Sequence, residues 1–370
     1  MAISEAPEAI RSFGRIDRKD RRSIALMSMV VLSLFLGGLI LLAAAVPGNY
    51  SIEGAEGAGV FGWATGILAF TLGMRHAFDA DHIVAIDNTT RKLAAEGKRS
   101  MGVGFFFSLG HSTIVFAITG ILCLGIAAVN HQLQDSGSLL HRITDIVGPS
   151  VSGLFLLTIA IINTVATVAM VKAFREARAG DFDDERFEAE LSRRGMLSRI
   201  FGRLISRVDA SWKIYPIGAL FGLGIDTATE VMLLVISGAA GLGGLPWWAV
   251  LSLPLLFAAG MGFFDTLDGV LMNFAYDWAF LTPLRKVYYN VVITVMSVFT
   301  ALMIGLFEVW SVLATSLGWE NPLLDWFGSL EFLGYAIAGM LVATWLISLT
   351  VWKVGHFDEK RITPAFSAVR

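Results

Sequence analysis

Long apolar runs recur along the whole chain and restrict it to one broad class of fold. Only 16% of the 370 residues are charged, whereas 55% are hydrophobic and the mean hydropathy is +0.67. A soluble domain carries about a quarter charged residues, while an apolar run of about 20 residues can cross a bilayer as a helix. The hydropathy pattern predicts an all-α polytopic membrane protein with eight spans, at 24–46, 60–90, 100–128, 146–171, 214–237, 246–277, 289–316 and 329–352.

Basic residues are distributed unevenly between the segments that connect these spans. With the N-terminus inside, 26 of the 28 Lys and Arg residues fall in inner segments, while Arg142 lies in an outer loop and Arg75 inside a span. Lys and Arg accumulate on the cytoplasmic side of membrane proteins. The pattern therefore favours eight spans with cytoplasmic N- and C-termini. The first span is longer than the core of a signal peptide, so we expect it to be retained.

The predicted spans divide the chain into two membrane segments and three cytoplasmic ones. The membrane segments are 24–171, with helices one to four and the three histidines found inside spans, and 214–352, with helices five to eight. The cytoplasmic segments are an N-terminal tail (1–23), a charged loop (172–213) and a C-terminal tail (353–370). The loop is either a charged tether that enforces orientation or a surface helix lying near the membrane.

Spans two and six are longer than a bilayer requires, and both contain aspartates. Such spans must tilt, extend beyond the hydrocarbon, or break. Broken helices near the midplane are a common way to build ion sites. The sequence therefore indicates that helices two and six are candidates for a break at their aspartates.

Span two holds an unusual concentration of ionisable side chains. Residues 73–90 include Arg75, His76, Asp79, Asp81, His82 and Asp87. Ionisable groups in a membrane are rare and mark substrate, ion or proton pathways. On one continuous helix, at about 100° per residue, His76, Asp79 and His82 share a face. This pattern favours a metal site built by His76, Asp79, Asp81 and His82, and the alternative is a pair of buried ion pairs that lock helices together.

Three further spans place polar side chains at a similar depth. They contribute His111 in span three, Asp226 and Glu230 in span five, and Asp265 and Asp268 in span six. We expect His111 to lie close to the metal site. We expect an ion pathway, which completes the site or lines its inner exit, to be formed by Asp87, Asp226, Glu230, Asp265 and Asp268. In span five, Gly218 and Gly222 form a face of small residues that predicts close helix contact.

The charge balance of these spans also favours a bound cation. Arg75 is the one permanent positive charge in spans two, five and six, against eight acidic residues: Asp79, Asp81, Asp87, Asp226, Glu230, Asp265, Asp268 and Asp277. Such an interior is stable only if some carboxyls stay protonated or a cation resides there. We expect Arg75 to pair with one carboxylate, either as a structural ion pair or as a gate.

The available ligand types narrow the choice of ion. Cys123 is the single cysteine, which excludes an internal disulfide and a site made of several thiolates. Imidazole with carboxylate suits Ni2+, Co2+, Zn2+ or Mn2+.

The chain has no Gly-x4-Gly-Lys-Ser/Thr segment for ATP hydrolysis. The expected partners are a divalent metal ion, carried as substrate and not as a cofactor, and the lipid bilayer, with no nucleic acid and no ATPase subunit.

Four sequence motifs follow one another in spans two, three, five and six. The first is Arg75-His-Ala-Phe-Asp-Ala-Asp-His-Ile83, with a His-x4-Asp-His pattern. The others are Leu109-Gly-His-Ser-Thr113, Gly224-Ile-Asp-Thr-Ala-Thr-Glu230 and Gly260-Met-Gly-Phe-Phe-Asp-Thr-Leu-Asp268. In this order they resemble the motifs of the nickel/cobalt transporter (NiCoT) family, whose signature is His-x4-Asp-His. The resemblance implies high-affinity secondary uptake of Ni2+ and/or Co2+ across the cytoplasmic (inner) membrane by a permease that is not an enzyme. It also implies that the histidines and acids of the first motif are essential.

Two other functional classes fit the pattern less well. A divalent-metal exporter often carries a His-rich cytoplasmic loop, whereas His356 in the C-terminal tail is the only histidine of the predicted inner segments. An intramembrane metal-dependent hydrolase needs a metal-bound water, and the chain has no His-Glu-x-x-His motif. The sequence favours an uptake permease over both.

Overall fold

The computed structural model describes most of the predicted membrane segments. The described residues are 17–50, 60–123, 149–161, 163–165, 208–223, 228–242, 245–279, 283–319 and 333–354, with Ile146, Val168 and Pro322. The predicted loop 172–213 is therefore described only from residue 208, and the tail 1–23 only from residue 17. Residues 355–370 and Asp226 lie outside the described part.

The described residues are folded into α-helices, which confirms the all-α class for this part of the chain. In chain order the main helices are α1 (Arg18–Ala45), α2 (Trp63–His76), α3 (Ala80–Ala95), α4 (Val103–Cys123), α5 (Tyr215–Phe221), α6 (Ala228–Leu242), α7 (Ser252–Ala279), α8 (Pro283–Leu317) and α9 (Leu333–Val354). Short helical turns occur at Val46–Gly48, Ser211–Ile214 and Trp247–Val250. Residues 149–161 are also helical.

Four helical stretches are long and apolar enough to cross a membrane. They are Arg18–Gly48, Val103–Ile121, Trp247–Tyr276 and Val295–Ala314. The α1 side chains of Met29 and Ile40 are 61% and 67% exposed, as expected for a helix that faces lipid. The chain is thus a multi-pass membrane protein, while the count of eight spans and the cytoplasmic termini stay predictions.

The second predicted span is broken where its ionisable residues lie. α2 ends at His76 and α3 begins at Ala80, with residues 77–79 between them. The predicted break in span two is therefore present. Because the helix is interrupted, His76, Asp79 and His82 do not share a face of one continuous helix, and that part of the expectation is wrong.

The sixth predicted span is not broken at its aspartates, so of the three alternatives for this long span, tilting and extension remain. α7 runs without interruption from Ser252 to Ala279, past Asp265 and Asp268. Its one proline, Pro254, lies in the first helical turn, where the missing N–H removes no helical hydrogen bond. No proline follows that turn in α7, so the helix can continue past both aspartates to Ala279.

The fifth predicted span is divided in two, although its hydropathy is continuous. α5 ends at Phe221, and Gly222 and Leu223 lie in a turn before α6 begins at Ala228. α3 and α6 therefore both begin inside a predicted membrane span. This is the arrangement of discontinuous helices from which membrane transporters commonly build ion sites.

α7 lies at the centre of the described helices and packs against α1, α2, α3 and α4. At two of these contacts the backbones themselves touch. A Cβ atom on Gly73 of α2 would overlap the carbonyl of Phe257, and one on Gly104 of α4 would overlap the carbonyl of Asp265. Small residues permit this close approach of helices in membranes. The segment of α7 that carries Asp265 is therefore held directly against α4.

The predicted face of small residues in span five is confirmed. A Cβ atom on Gly218 would overlap the Phe107 carbonyl of α4, and one on Gly222 would lie 2.8 Å from the carbonyl oxygen of His111. Side chains larger than hydrogen would separate α4 from α5 at these points. The contact places the broken end of span five next to His111.

Candidate metal site

Three histidines from two predicted spans meet in a buried group, which we call the histidine cluster. His76 is the last residue of α2, His82 lies in the first turn of α3, and His111 lies in α4. Their ring centroids are 4.6, 4.8 and 4.9 Å apart, and each residue is at most 2% exposed. One ligand nitrogen of each ring lies within 4.8 Å of the others. The predicted association of His111 with the two signature histidines is thus observed.

The break in span two explains how His76 and His82 reach one another. After α2, the N–H of Phe78 donates to the carbonyl of Arg75 at 3.0 Å, and the N–H of Asp79 donates to the carbonyl of His76 at 2.9 Å. Asp79 then takes the N-cap position of α3 in an extended conformation. A straight helix would place His82 about 9 Å further along the axis than His76. The change of direction brings their rings together.

Glu230 brings a carboxylate to the histidine cluster from the first turn of α6. Its Oε1 lies 2.5 Å from His111 Nε2 and 3.6 Å from His76 Nε2, and the two Nε2 atoms are 3.1 Å apart. Metal–nitrogen bonds of about 2.0–2.1 Å place two ligands of one ion about 2.9 Å apart at a right angle and about 3.4 Å apart at the tetrahedral angle. The 3.1 Å between the two nitrogens lies in this range, whereas the 2.5 Å from Oε1 to His111 Nε2 is a hydrogen-bond distance. The three atoms are therefore close enough to reach one ion, and Glu230 would move slightly away from His111 to share it.

Acceptor groups surround the cluster and face the other nitrogens of two rings. His76 Nδ1 lies 2.8 Å from Asp79 Oδ2 and 3.1 Å from Thr229 Oγ1. His82 Nδ1 lies 3.2 Å from Asp265 Oδ2. A metal-binding histidine commonly donates its second ring N–H to an acceptor of this kind, which sets the orientation of the ring.

Several polar atoms at the cluster have no hydrogen-bond partner among the described residues. They include His82 Nε2, His111 Nδ1 and Asp265 Oδ1, which are all buried. A buried polar atom left without a partner costs about 1–3 kcal/mol. A ligand that bound at the cluster would offset part of this cost.

The charges around the cluster have one sign. Glu230 and Asp265 are 2% and 1% exposed, and Asp79 lies beside them at His76. Ionised carboxylates buried away from water are costly unless they are paired or coordinate a metal. A divalent cation held by the three histidines would neutralise this excess, so the electrostatics and the ligand types point to the same occupant.

Some residues predicted for the site lie at its edge. Asp81 is half-buried in the first turn of α3, where its carboxylate accepts the N–H of His82 at 2.9 Å. Arg75 is half-buried in the last turn of α2, and Asp226 lies outside the described residues. The roles of Asp81 as a ligand, of Arg75 as an ion pair or gate, and of Asp226 in the pathway stay predictions.

Asp87 belongs to a second polar group further along α3. It is buried and accepts hydrogen bonds from the hydroxyl of Tyr276 in α7 and from Ser297 Oγ in α8, the latter at 2.9 Å. Asp268 is half-buried on α7, and its Oδ2 has no hydrogen-bond partner in the described part of the chain. The two aspartates lie close enough for their charges to interact.

Sequence reasoning did not single out Thr229, Tyr276 or Ser297. Thr229 precedes Glu230 in a recognised motif, so its position beside an acidic residue at a helix start was an available signal. Tyr276 and Ser297 are isolated hydroxyl residues in apolar helices, and such residues carry no distinctive pattern. Their contacts became visible only through the packing of α7 and α8 against α3.

Comparisons with known proteins cover most of the chain. A family described as "High-affinity nickel-transport protein" matches residues 62–351. The nickel transporter NicT of Mycobacterium tuberculosis is 47% identical over 345 residues, which cover 92% of this chain and 91% of that protein. The high-affinity nickel-transport protein NixA of Helicobacter pylori strain J99 is 47% identical over 300 residues, covering 79% and 89%. The cobalt transport protein NhlF of Rhodococcus rhodochrous is 39% identical over 336 residues, covering 90% and 93%.

No solved structure matches the chain significantly. The matched family region begins one residue before α2 and extends into the last turn of α9. It therefore includes the histidine cluster, Glu230 and the acceptors that surround them. The chain belongs to the high-affinity nickel-transport protein family.

Proposed function

We propose that this protein is a secondary permease that takes up Ni2+ or Co2+ with high affinity, and that the ion binds at the histidine cluster during its passage. The observation that carries the proposal is the convergence of three buried histidines and Glu230 within the spans of a membrane protein. Intramembrane groups of this kind mark ion pathways. The printed names of the relatives, which include nickel and cobalt transporters, support the same two ions.

The proposed ligands are one nitrogen from each of the three histidines and Oε1 of Glu230. For His76 and His111 the spacing favours Nε2, because these atoms lie 3.1 Å apart and beside the Glu230 carboxylate. Imidazole and carboxylate together suit Ni2+ and Co2+. In this proposal Asp79 orients the His76 ring through Nδ1, and Asp81 remains a candidate for a further ligand at the same helix start.

The pathway beyond the cluster is proposed to follow α3 and α7. Asp268 lies one turn beyond Asp265, and Asp87 lies beyond His82 along α3. Further along α3, Asn88, Thr89 and Lys92 line a cavity of about 60 Å3, and Asn163 and apolar side chains form the rest of its wall. This succession of polar groups supports an exit toward the end of α3 that carries basic residues, which the positive-inside rule assigns to the cytoplasm. Asp226, which lies outside the described residues, is also proposed to contribute to the pathway.

The proposed driving force is the membrane potential, and proton coupling through His or carboxyl groups is the alternative. A divalent cation moving inward gains about 4.6 kcal/mol per 100 mV, from roughly 2.3 kcal/mol per elementary charge. This free energy corresponds to about three decades of accumulation. The proposal therefore requires no ATPase subunit, no cofactor and no enzymatic step.

The proposed topology places the protein in the cytoplasmic membrane with eight spans and both termini inside. The membrane segments are 24–171 and 214–352, and the charged loop 172–213 and both tails lie in the cytoplasm. The positive-inside distribution of Lys and Arg supports this arrangement. Attaching a reporter that is active on one side of the membrane to each terminus would test it.

Uptake of labelled nickel and cobalt tests the function. Cells that express the wild-type chain are expected to accumulate nickel, cobalt or both from a medium with sub-micromolar concentrations of these ions. His76→Ala and His82→Ala are expected to abolish this accumulation. Each substitution removes a ligand without adding a charge, so the amount of protein in the membrane should not change. His131→Ala, which alters a predicted outer loop, is the matched histidine control and should transport like wild type.

The result also separates the rival functions. Lower cellular metal on expression of the wild type would indicate an exporter. An absence of any change in metal content, with correct insertion, would favour an enzyme over a transporter. Wild-type accumulation in both His76→Ala and His82→Ala would show that the histidine cluster is not the transport site.

A further inference from the structure

The His82 ring is held from two directions by side chains of other helices. Phe107 of α4 packs edge-to-face against it, with ring centroids 4.8 Å apart and an interplanar angle of 89°. Asp265 of α7 lies 3.2 Å from Nδ1 through its Oδ2. His82 is fully buried and Asp265 is 1% exposed, so water does not compete for this hydrogen bond.

The hydrogen bond determines which nitrogen of His82 is available to a metal. A metal-binding histidine commonly donates its second ring N–H to a carboxylate, and Asp265 Oδ2 is the acceptor within hydrogen-bond distance of Nδ1. In a neutral ring the lone pair is then on Nε2. That atom is buried and has no hydrogen-bond partner among the described residues. The ring therefore presents a free lone pair in the interior of the site.

We propose that Asp265 is a positioning residue that acts through His82: it holds Nδ1, fixes the tautomer and aims Nε2 at the ion. The inference rests on the proposed function, since it assigns a role within the same site. It gives Asp265 a different role from Glu230, whose oxygen lies among the metal-facing nitrogens.

Asp265 is suited to this role because its backbone is immobilised. A Cβ atom on Gly104 would overlap the Asp265 carbonyl, and Gly269, one turn later on α7, packs against the Gly104 backbone. The carboxylate thus projects from a helix that cannot shift relative to α4 without losing these contacts. Acceptors behind metal-binding histidines tune metal affinity most strongly when they are held rigidly.

Binding of Co2+ to the purified full-length chain in detergent tests the inference. The visible absorption of Co2+ reports its ligands, and titration gives its affinity. Asp265→Asn keeps an oxygen that can accept from Nδ1, so we expect an unchanged spectrum and an affinity loss of about fivefold or less. Asp265→Leu removes the acceptor and is expected to weaken binding about 10–100-fold. Thr266→Val is the control, because among the described residues the Thr266 hydroxyl donates within its own helix, to the Gly262 carbonyl.

A double-mutant cycle with His82→Ala gives the decisive comparison. If Asp265 acts through His82, Asp265→Leu weakens Co2+ binding in the wild type but adds no further loss in the His82→Ala background. If Asp265 is itself a ligand, through Oδ2 or its unpartnered Oδ1, Asp265→Asn alters the spectrum and Asp265→Leu costs affinity in both backgrounds. An altered spectrum in Asp265→Asn, or an affinity loss from Asp265→Leu in the His82→Ala background, would overturn the inference. Failure of the wild type to bind Co2+ would instead contradict the proposed function.

Discussion

Oε1 of Glu230 lies 2.5 Å from Nε2 of His111, although 119 residues separate the two in the sequence. The contact joins α6 to α4 at the point where span five resumes after its interruption. A carboxylate at the first turn of a helix is favoured by the positive end of the helix dipole. The broken span therefore delivers a negative charge to the histidine cluster at a position that the helix itself stabilises.

Replacing Glu230 by Gln is expected to remove high-affinity transport. The amide keeps the size of the side chain but loses the charge that would face both the ion and His111. Removing one partner of a buried charged pair costs about 3–5 kcal/mol, so uptake at low metal concentration should fall roughly 100-fold or more. Initial rates of labelled nickel uptake measure this effect. Glu230→Asp, which retains the charge, should keep more activity, and equal activity of Glu230→Gln and wild type would exclude Glu230 as a ligand.

Asp87→Asn is expected to impair uptake without impairing binding. In the described part of the chain the Asp87 carboxylate is hydrogen-bonded to Tyr276 and Ser297 and not to the histidine cluster. The affinity of the purified protein for Co2+ should therefore change by less than about 0.5 kcal/mol. Uptake should fall because the proposed pathway loses a negative charge. Parallel uptake and binding measurements separate the two effects. Tyr276→Phe removes a hydrogen-bond donor but keeps the Asp87 carboxylate, so its loss of uptake should be smaller. Loss of Co2+ binding in Asp87→Asn would contradict the prediction and place Asp87 in the binding site itself.

Gly73→Ala is expected to destabilise the protein, because the new Cβ would overlap the Phe257 carbonyl. Overpacking of this kind typically costs about 1–3 kcal/mol. Gly37→Ala is the matched control, since a Cβ there meets no atom within 4 Å. In a helix interior that change should stabilise by about 0.5–1 kcal/mol. Thermal unfolding in detergent compares the two, and equal shifts would contradict the close contact of α2 with α7.

Arg99 ties the segment after α3 to the start of α1 by donating hydrogen bonds to Asp17 and Asp20. The hydrogen bond from the Arg99 guanidinium holds the pKa of the Asp17 carboxyl below its usual range. A lowered folded-state pKa stabilises the fold above the unfolded pKa of about 3.9, and this contribution is lost as the pH falls through the folded pKa. The stabilisation is therefore present at neutral pH and disappears in acid.

Arg99→Gln should accordingly leave uptake at neutral pH close to wild type, because exposed ion pairs contribute little. Its difference in thermal stability from wild type should be largest at neutral pH and should shrink below about pH 4. Unfolding curves collected across this range test the expectation. Asp17→Asn should behave in the same way, and a difference from wild type that grew in acid would contradict it.

The sequence was sufficient to predict that His76, His82 and His111 lie together in a candidate metal site, but not the geometry of that site. The unusual cost of ionisable residues in a membrane identified His76, His82 and His111 without any knowledge of packing. That Glu230 touches the cluster while Asp87 belongs to another group could not be predicted, because both depend on how helices distant in sequence register against each other.

Hydropathy was similarly informative about membrane segments and uninformative about their interruptions. Span two breaks at Asp79, and span five breaks after Phe221, yet α7 continues past Asp265 and Asp268. An interruption depends on whether neighbouring groups can satisfy the freed backbone polar atoms. Average hydrophobicity contains no information about those neighbours, so a long acidic span could be either broken or straight.

The backbone contacts at Gly73 and Gly104 determine how accurately the site is built. Where two helices touch through peptide groups, their separation is set by covalent and van der Waals dimensions and not by the rotamers of side chains. A binding site needs its groups within about 0.5 Å of the productive geometry. Because Gly73 and Gly104 have no side chain, the distances of α2 and α4 from α7 are set by direct backbone contact. These distances in turn determine the width of the candidate site.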